Sequence, residues 1–472
     1  MTQQGVPAAL DARARRWTLV AACLTPAMVA TDTLAVAVAL PAMETGLGLS
    51  SEVALLAVNS FVLAEGALIV ASGRLADILG RRRMFMIGSA LFVVASVLVG
   101  SAWNGPSLIF ARALEGAGAA LCFTSSLAML ADAYPPEERA KAIGWWGTAA
   151  GAGLGLGPIL AGILIAVESW RLVFFLSVPA GIAAIVLAGR FARESRDTTP
   201  GQRIDYLGLA LIAVGVSTLT LAILEGANWG WTSPAVLVLF VAGIALLVAF
   251  VVVEQRIRSP LVDLALFRIR SFAGASVLAL LILAVAMMFM VFGSLYLQRV
   301  RDLSALQAGL AFLPFTLAFF ASSQTSGRIV SRIGARVPVV VGAVVTFIGA
   351  VAVTRLDATT PPWLVAAIFL VLGFGIPLVW TPIGVVALDA VPSERAGMAS
   401  GVNLTCRMFG GSLGIAAGAA ILGNDATGRV APEEFLDGFR SVMWFVAALA
   451  IGCLATALLT IGPDTARPKL GK

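Results

Sequence analysis

The chain contains no histidine. Histidine is the usual general base near neutral pH and the commonest metal ligand, so most hydrolase and metalloenzyme chemistry lacks its first requirement. Charge is scarce as well. Only 12% of the 472 residues are Asp, Glu, Lys or Arg, against about 25% in a soluble domain. The four cysteines, Cys23, Cys122, Cys406 and Cys453, all fall in apolar runs. They show neither metal-ligand spacing nor a paired framework and read as small core residues. The bases are spread over many short loops, which argues against a nucleic-acid face.

What remains is apolar: 59% of the residues are hydrophobic. Runs of about 20 apolar residues recur from end to end, each long enough to cross a hydrocarbon core about 30 Å thick. A transmembrane barrel would instead show alternating segments of about 10 residues. Fourteen helical spans are expected, at 17–43, 52–72, 83–102, 105–131, 139–167, 170–190, 204–224, 234–255, 271–298, 304–327, 336–355, 362–388, 395–423 and 438–462. The first follows Arg13, Arg15 and Arg16 and is too long for a signal-peptide core. An even count puts both termini on one side. With that side cytoplasmic, the inner segments hold 24 of the 32 basic residues. Such a bias sets orientation.

The chain repeats itself. Ser72-Gly73-Arg74 through Gly80-Arg81 returns as Ser326-Gly327-Arg328 through Gly334-Ala335-Arg336, and Leu49-Ser50 returns as Leu303-Ser304, both 254 residues on. Repeats in one orientation imply two bundles related by an axis along the membrane normal. Residues 1–200 then form one six-helix bundle, 201–260 supply two additional helices, and 261–472 form the second bundle.

On these residues the chain resembles the major facilitator superfamily, and within it the 14-helix drug/proton antiporter family. Gly73-Arg74-Leu75-Ala76-Asp77 with Gly80-Arg81-Arg82 resembles the superfamily motif between spans 2 and 3. Asp32 followed by Ala39-Leu40-Pro41 resembles the first-span motif, and Arg112 through Glu115-Gly116 the fourth-span motif, whose usual form has glutamine where Glu115 stands. Gly144, Gly153, Gly157, Pro158 and Gly162 match the fifth-span antiporter motif, with Ala161 replacing one glycine. Trp170-Arg171 with Pro179 and Gly181 looks like the start of the sixth span.

The resemblance implies an all-α polytopic fold and antiport. It places Asp77 against the start of the thirteenth span, near Ala396–Gly401, and pairs Arg81 with Asp132, making a latch that closes the cytoplasmic side when the outside is open. The clustered glycines of span 5 suit a close helix seam, expected to seal that same side in one state. The Gly151–Gly157 run mimics a dinucleotide fingerprint, but it follows no strand and lies inside a span.

Ionisable residues within spans are costly and usually face a cavity or a partner. Asp32 lies about 22 Å into span 1 at 1.5 Å per residue. Arg112 and Glu115, three apart, share a helix face. Without histidine, carboxylates must carry any coupled proton. Asp32 is the expected principal carrier, tuned by Arg112, with Glu115 as partner or second carrier and Glu65 as a further acid. Phe61, Trp145, Trp146, Phe289, Phe292, Tyr296, Phe374 and Trp380, with Arg407, are candidates to line an apolar substrate cavity suited to lipophilic, often cationic compounds.

The expected protein is therefore a monomeric, multi-pass exporter of the bacterial cytoplasmic membrane. It is not an enzyme, needs no cofactor or metal, and is driven by the proton gradient. Three readings stay open: a multidrug pump, a dedicated exporter of one natural product, and a proton-coupled importer.

Overall fold

The computed structural model describes residues 11–167, 169–196, 205–257, 262–391, 396–423 and 432–462. Helices form where the apolar runs stand, because a chain in lipid must satisfy its backbone internally. The first half contains α1 (Ala12–Leu47), α2 (Ser51–Leu79), α3 (Arg81–Gly100), α4 (Gly105–Ala133), α5 (Pro136–Val167), α6 (Arg171–Phe175) and α7 (Ser177–Phe191). Next come α8 (Tyr206–Trp229) and α9 (Pro234–Glu254). The second half contains α10 (Arg270–Leu295), α11 (Ala305–Ala311), α12 (Leu313–Ile333), α13 (Arg336–Val353), α14 (Pro362–Asp389), α15 (Ala396–Leu422) and α16 (Pro432–Thr460).

Two of the expected spans are broken. The sixth is α6 joined to α7 at Leu176, and the tenth is α11 joined to α12 at Phe312. A third, α1, carries Pro26 and Pro41 and bends by 45° between Thr33 and Ala35. Among the described residues, thirteen helical segments are long and apolar enough to span, and bent α1 makes a fourteenth.

The repeat is visible in local geometry. Ser50 and Ser304 each cap a helix by accepting from the backbone N–H three residues on, a standard N-cap. Gly80 and Gly334 end α2 and α12 with positive φ, +116° and +84°, which glycine adopts without steric cost. The carbonyls of Phe61 and Phe315 are each backed by a glycine of a facing helix, Gly116 and Gly373.

Within each half the helices pack as one bundle. In the first, α4 lies between α2 and α3, and α1 lies on α5. In the second, α10 is the most enclosed helix, packed on α14, α15 and α16. α8 leans on α2 and α15, with Thr220 Oγ1 3.5 Å from Ser412 Oγ and Val216 against Ala67 and Phe409. α9 touches the body mainly through α8, and only 17% of its apolar window is buried.

The two halves meet at one end. Call the end holding Arg15, Arg81 and Asp132 the basic end, and the opposite one the far end. At the far end Arg299 donates to Glu44 at 2.5 Å and to Ser51 at 2.7 Å, and Gln298 donates to the Val38 carbonyl at 3.2 Å. A single π-helical turn, Tyr296–Val300, aims these side chains across the interface. The backbone of α11 abuts α5, so a Cβ on Gly162 would collide with Leu306 and one on Gly309 with the Pro158 carbonyl. At the basic end, Gly73, Gly144, Gly147, Gly327 and Gly384 all face open space, with no neighbouring atom within 4 Å of a Cβ placed there. The molecule is sealed at the far end and open at the basic end among the described residues.

Candidate functional site

The most buried polar group lies inside the first bundle. A Cβ on Gly116 would collide with the Phe61 carbonyl, and one on Gly118 with the Phe92 backbone. These small residues let α4 press between α2 and α3, and that brings Arg112 and Glu115 inward. Arg112 Nη1 donates to Asp32 Oδ2 at 2.7 Å and to Glu115 Oε2 at 2.6 Å. Ser96 Oγ donates to Glu115 Oε1 at 2.6 Å. The guanidinium lies 4.3 Å above the Phe61 ring and 5.7 Å from that of Phe174. The Arg112, Asp32 and Glu115 side chains are at most 1% exposed. Asp32 Oδ1 and Arg112 Nε have no hydrogen-bond partner among the described residues. Glu65, also buried, backs the group from α2. Asp32 sits two residues before the bend of α1. The arrangement thus holds three carboxyl groups and one guanidinium in a dry bundle, beside a place where the helix can change angle.

The loop between α2 and α3 forms a second polar set. Arg81 donates to Asp77 Oδ1 at 2.9 and 3.1 Å and to Asp132 Oδ1 at 2.5 Å. Asp132 also accepts from Ser195. Two residues without any sequence signal complete the set. The Glu194 carboxylate accepts the backbone N–H groups of Arg82 and Arg83, each at 3.1 Å, and Ser195 accepts from Arg81 N at 3.0 Å. Glu194 therefore caps α3 from a segment more than 110 residues away, where the helix dipole favours an anion. It also supplies a second reason for Gly80, because a Cβ there would lie 2.5 Å from Glu194 Oε1.

Asp77 is held by Arg81, one turn on. The expected latch to α15 closes the basic end when the far end is open, whereas here the far end is sealed, and the side chains of 392–397 lie outside the described residues. Arg74 is half-buried and joins neither polar set. The span-5 motif is expected to seal the basic end in one state of the molecule. In this state, open at the basic end, Pro158 and Gly162 meet α11 at the far end, Gly153 backs onto Ala27 of α1 within the first bundle, and Gly144 is open. Gly157 is buried.

The aromatic candidates divide in the same way. Phe61 is covered by Arg112. Phe289 packs in a cluster with Phe312, Phe315 and Phe369. Phe292 covers Gly418. Tyr296 stacks on Phe439 at 5.0 Å and donates to the Asp357 carbonyl at 2.8 Å. All four are fully buried in this state of the molecule. Trp146 donates to Ser126 Oγ at 2.9 Å and packs edge-on to Phe123. Trp380 and Arg407 keep partly open faces, with the Arg407 guanidinium 4.4 Å from the Trp380 ring. A recess at the bundle interface is lined instead by Ala37, Val38, Met290, Ser294, Phe312 and Thr316.

Two repeated helical bundles joined at one end and parted at the other, with ionisable groups buried mid-span, define a membrane transporter of the alternating-access kind. Residues 22–415 match the family model described as Major Facilitator Superfamily, and the chain belongs to that superfamily. Among its relatives is the multidrug resistance protein Stp of Mycobacterium tuberculosis, 34% identical over 87% of this chain and 76% of the relative. The cephamycin export protein CmcT of Amycolatopsis lactamdurans is 34% identical over 92% and 90%. The tetracenomycin C resistance and export protein of Streptomyces glaucescens is 30% identical over 90% and 79%. Among solved structures, a peptide transporter POT bound to sulfate superposes with a TM-score of 0.69 at 16% identity, over 98% of each chain. That likeness is one of fold.

Proposed function

We propose that this protein exports amphipathic small molecules from a bacterial cytoplasm in exchange for protons. Each single chain works in the cytoplasmic membrane with the basic end inside, and the proton gradient replaces any cofactor. The observation that carries the reading is the buried Asp32–Arg112–Glu115 group. Three carboxyls with Glu65, against one guanidinium, exceed the charge that a dry bundle can match, which leaves room for a proton. Proton arrival or loss changes which carboxyl Arg112 pairs with, and so biases the α1 bend. The relatives' names, which speak of resistance and export, agree with an exporter.

Proteoliposomes with an imposed pH gradient, and ethidium and 2-naphthalenesulfonate as probes of opposite charge, test this. Uphill movement of one of the two probes opposite to protons is expected in the wild type, and Asp32→Asn should abolish it while downhill exchange persists. Uphill movement by Asp32→Asn, or movement in the direction of protons, overturns the reading. A dedicated natural-product exporter is the second reading, favoured by relatives named for single compounds. Resistance profiles in a pump-deficient host separate the two: protection against one compound class only favours the dedicated exporter.

A further inference from the structure

Every exporter of amphipathic compounds needs a feature that its substrate's polar end can engage. Two arginines lie deep within the spans. Arg112 is matched by two carboxylates. Arg407 of α15 has no carboxylate partner among the described residues. Its Nη2 donates one long bond, 3.4 Å, to the Trp380 carbonyl, and its buried Nε has no acceptor. It stands about 17 Å into its helix at 1.5 Å per residue, where an unmatched cation is expensive.

Its surroundings are arranged on one side. The guanidinium lies over Trp380, and Phe319 meets Trp380 edge-on at 6.2 Å. One turn along α14 from Trp380, Gly384 faces empty space open to the basic end. Ser323 and Thr381 hydroxyls, 3.4 Å apart, stand on the same two helices. By contrast, the acids of the Asp32 group are shut inside the first bundle and present almost no surface to the gap. The charge that the gap meets mid-span is thus positive.

We propose that Arg407 and Trp380 form the recognition point for organic anions: compounds with a carboxylate or similar acidic group on an aromatic body. The planar guanidinium fork matches a carboxylate in a bidentate way, and Trp380 with Phe319 faces the ring. The inference rests on the export reading and replaces the expected cationic substrate class, since a cation would meet Arg407 as a like charge.

Binding of three probes that share one ring system tests it: 2-naphthoate, 2-naphthamide and 2-naphthylmethylammonium, titrated calorimetrically into the protein in lipid nanodiscs. The wild type should bind the naphthoate about tenfold or more tighter than the amide, the scale of a hydrogen bond to a charged group, and the ammonium most weakly. In Arg407→Gln the acid-to-amide ratio should fall to near one, and Arg407→Lys should retain part of it. An unchanged ratio in a monodisperse Arg407→Gln protein, or wild-type preference for the ammonium or the amide, overturns the proposal. If Arg407→Gln does not fold, the wild-type ranking and Arg407→Lys decide. A purely structural role would lower the melting temperature and weaken all three probes alike. Uphill transport of ethidium and 2-naphthalenesulfonate in proteoliposomes separates the two readings. Export of either probe without a naphthoate preference removes only this inference; the preference without export of either probe removes the transport reading.

Discussion

Arg112 shows how much a single buried cation can organise. It ties α4 to α1 through Asp32 and spans one turn of its own helix to Glu115. Removing one partner of such a set leaves uncompensated charge, at a cost of about 3–5 kcal/mol. Arg112→Gln should therefore lower the melting temperature of the purified protein sharply, whatever it does to transport. Gly80 is sensitive for a different reason. Its φ of +116° and the nearby Glu194 carboxylate both oppose a side chain, so Gly80→Ala should cost about 1–3 kcal/mol. Glu194→Gln keeps a cap oxygen but loses the charge, and should cost only about 0.5–1 kcal/mol. Thermal melts of the two variants side by side check the order. The Gly80 and Arg81 roles could be read locally, because they lie in one short motif. Glu194 could not, because its partners are more than 110 residues away and a lone glutamate after a basic run looks like solvated surface.

Among the elements, the additional pair α8–α9 has a definite seat. By leaning on α2 and α15, α8 covers one of the two seams between the bundles, whereas the α5–α12 seam has no such cover. Cysteines replacing Thr220 and Ser412, whose hydroxyls are 3.5 Å apart, should cross-link under mild oxidation and leave export intact. Loss of export on cross-linking would show instead that α8 must move. The number, length and order of the spans were legible because each is a run of apolar residues bounded by loops. Their breaks were less so, although each has a proline just downstream: Pro179 and Pro314 lack the N–H that would bond the carbonyls of Phe175 and Leu310 across Leu176 and Phe312. The facing of aromatics was illegible, since Phe289 or Phe292 in an all-apolar helix carries no periodic signal for core against cavity. That the span-5 glycines meet neighbours was readable. Which end they close depends on the state of the whole molecule.

At the scale of the whole molecule, the far-end seal is the counterpart of the open basic end. The Glu44–Arg299 pair crosses between bundles and is reinforced by Ser51 and Gln298. Glu44→Gln should weaken it and shift the population toward a far-end-open form. A cysteine at position 147, now facing open space, should then react more slowly with an impermeant maleimide added from the basic end. An unchanged labelling rate would mean that the pair does not contribute to the seal. The sequence places Arg299 among a handful of far-side bases, and Glu44 merely ends a helix. Only the π-helical turn at Tyr296–Val300 brings them together.

The clasp around Gly80 has a further consequence. Arg82 also donates to the Gly189 and Ala192 carbonyls at 2.9 and 3.3 Å, so the end of α7 is tied back onto the start of α3. Residues 80 to 195 form a closed circuit that uses no residue of the second bundle. A fragment ending just beyond residue 200 should therefore already resist protease across this circuit in a membrane. The first half can then assemble as a finished piece, against which α10 and its followers pack.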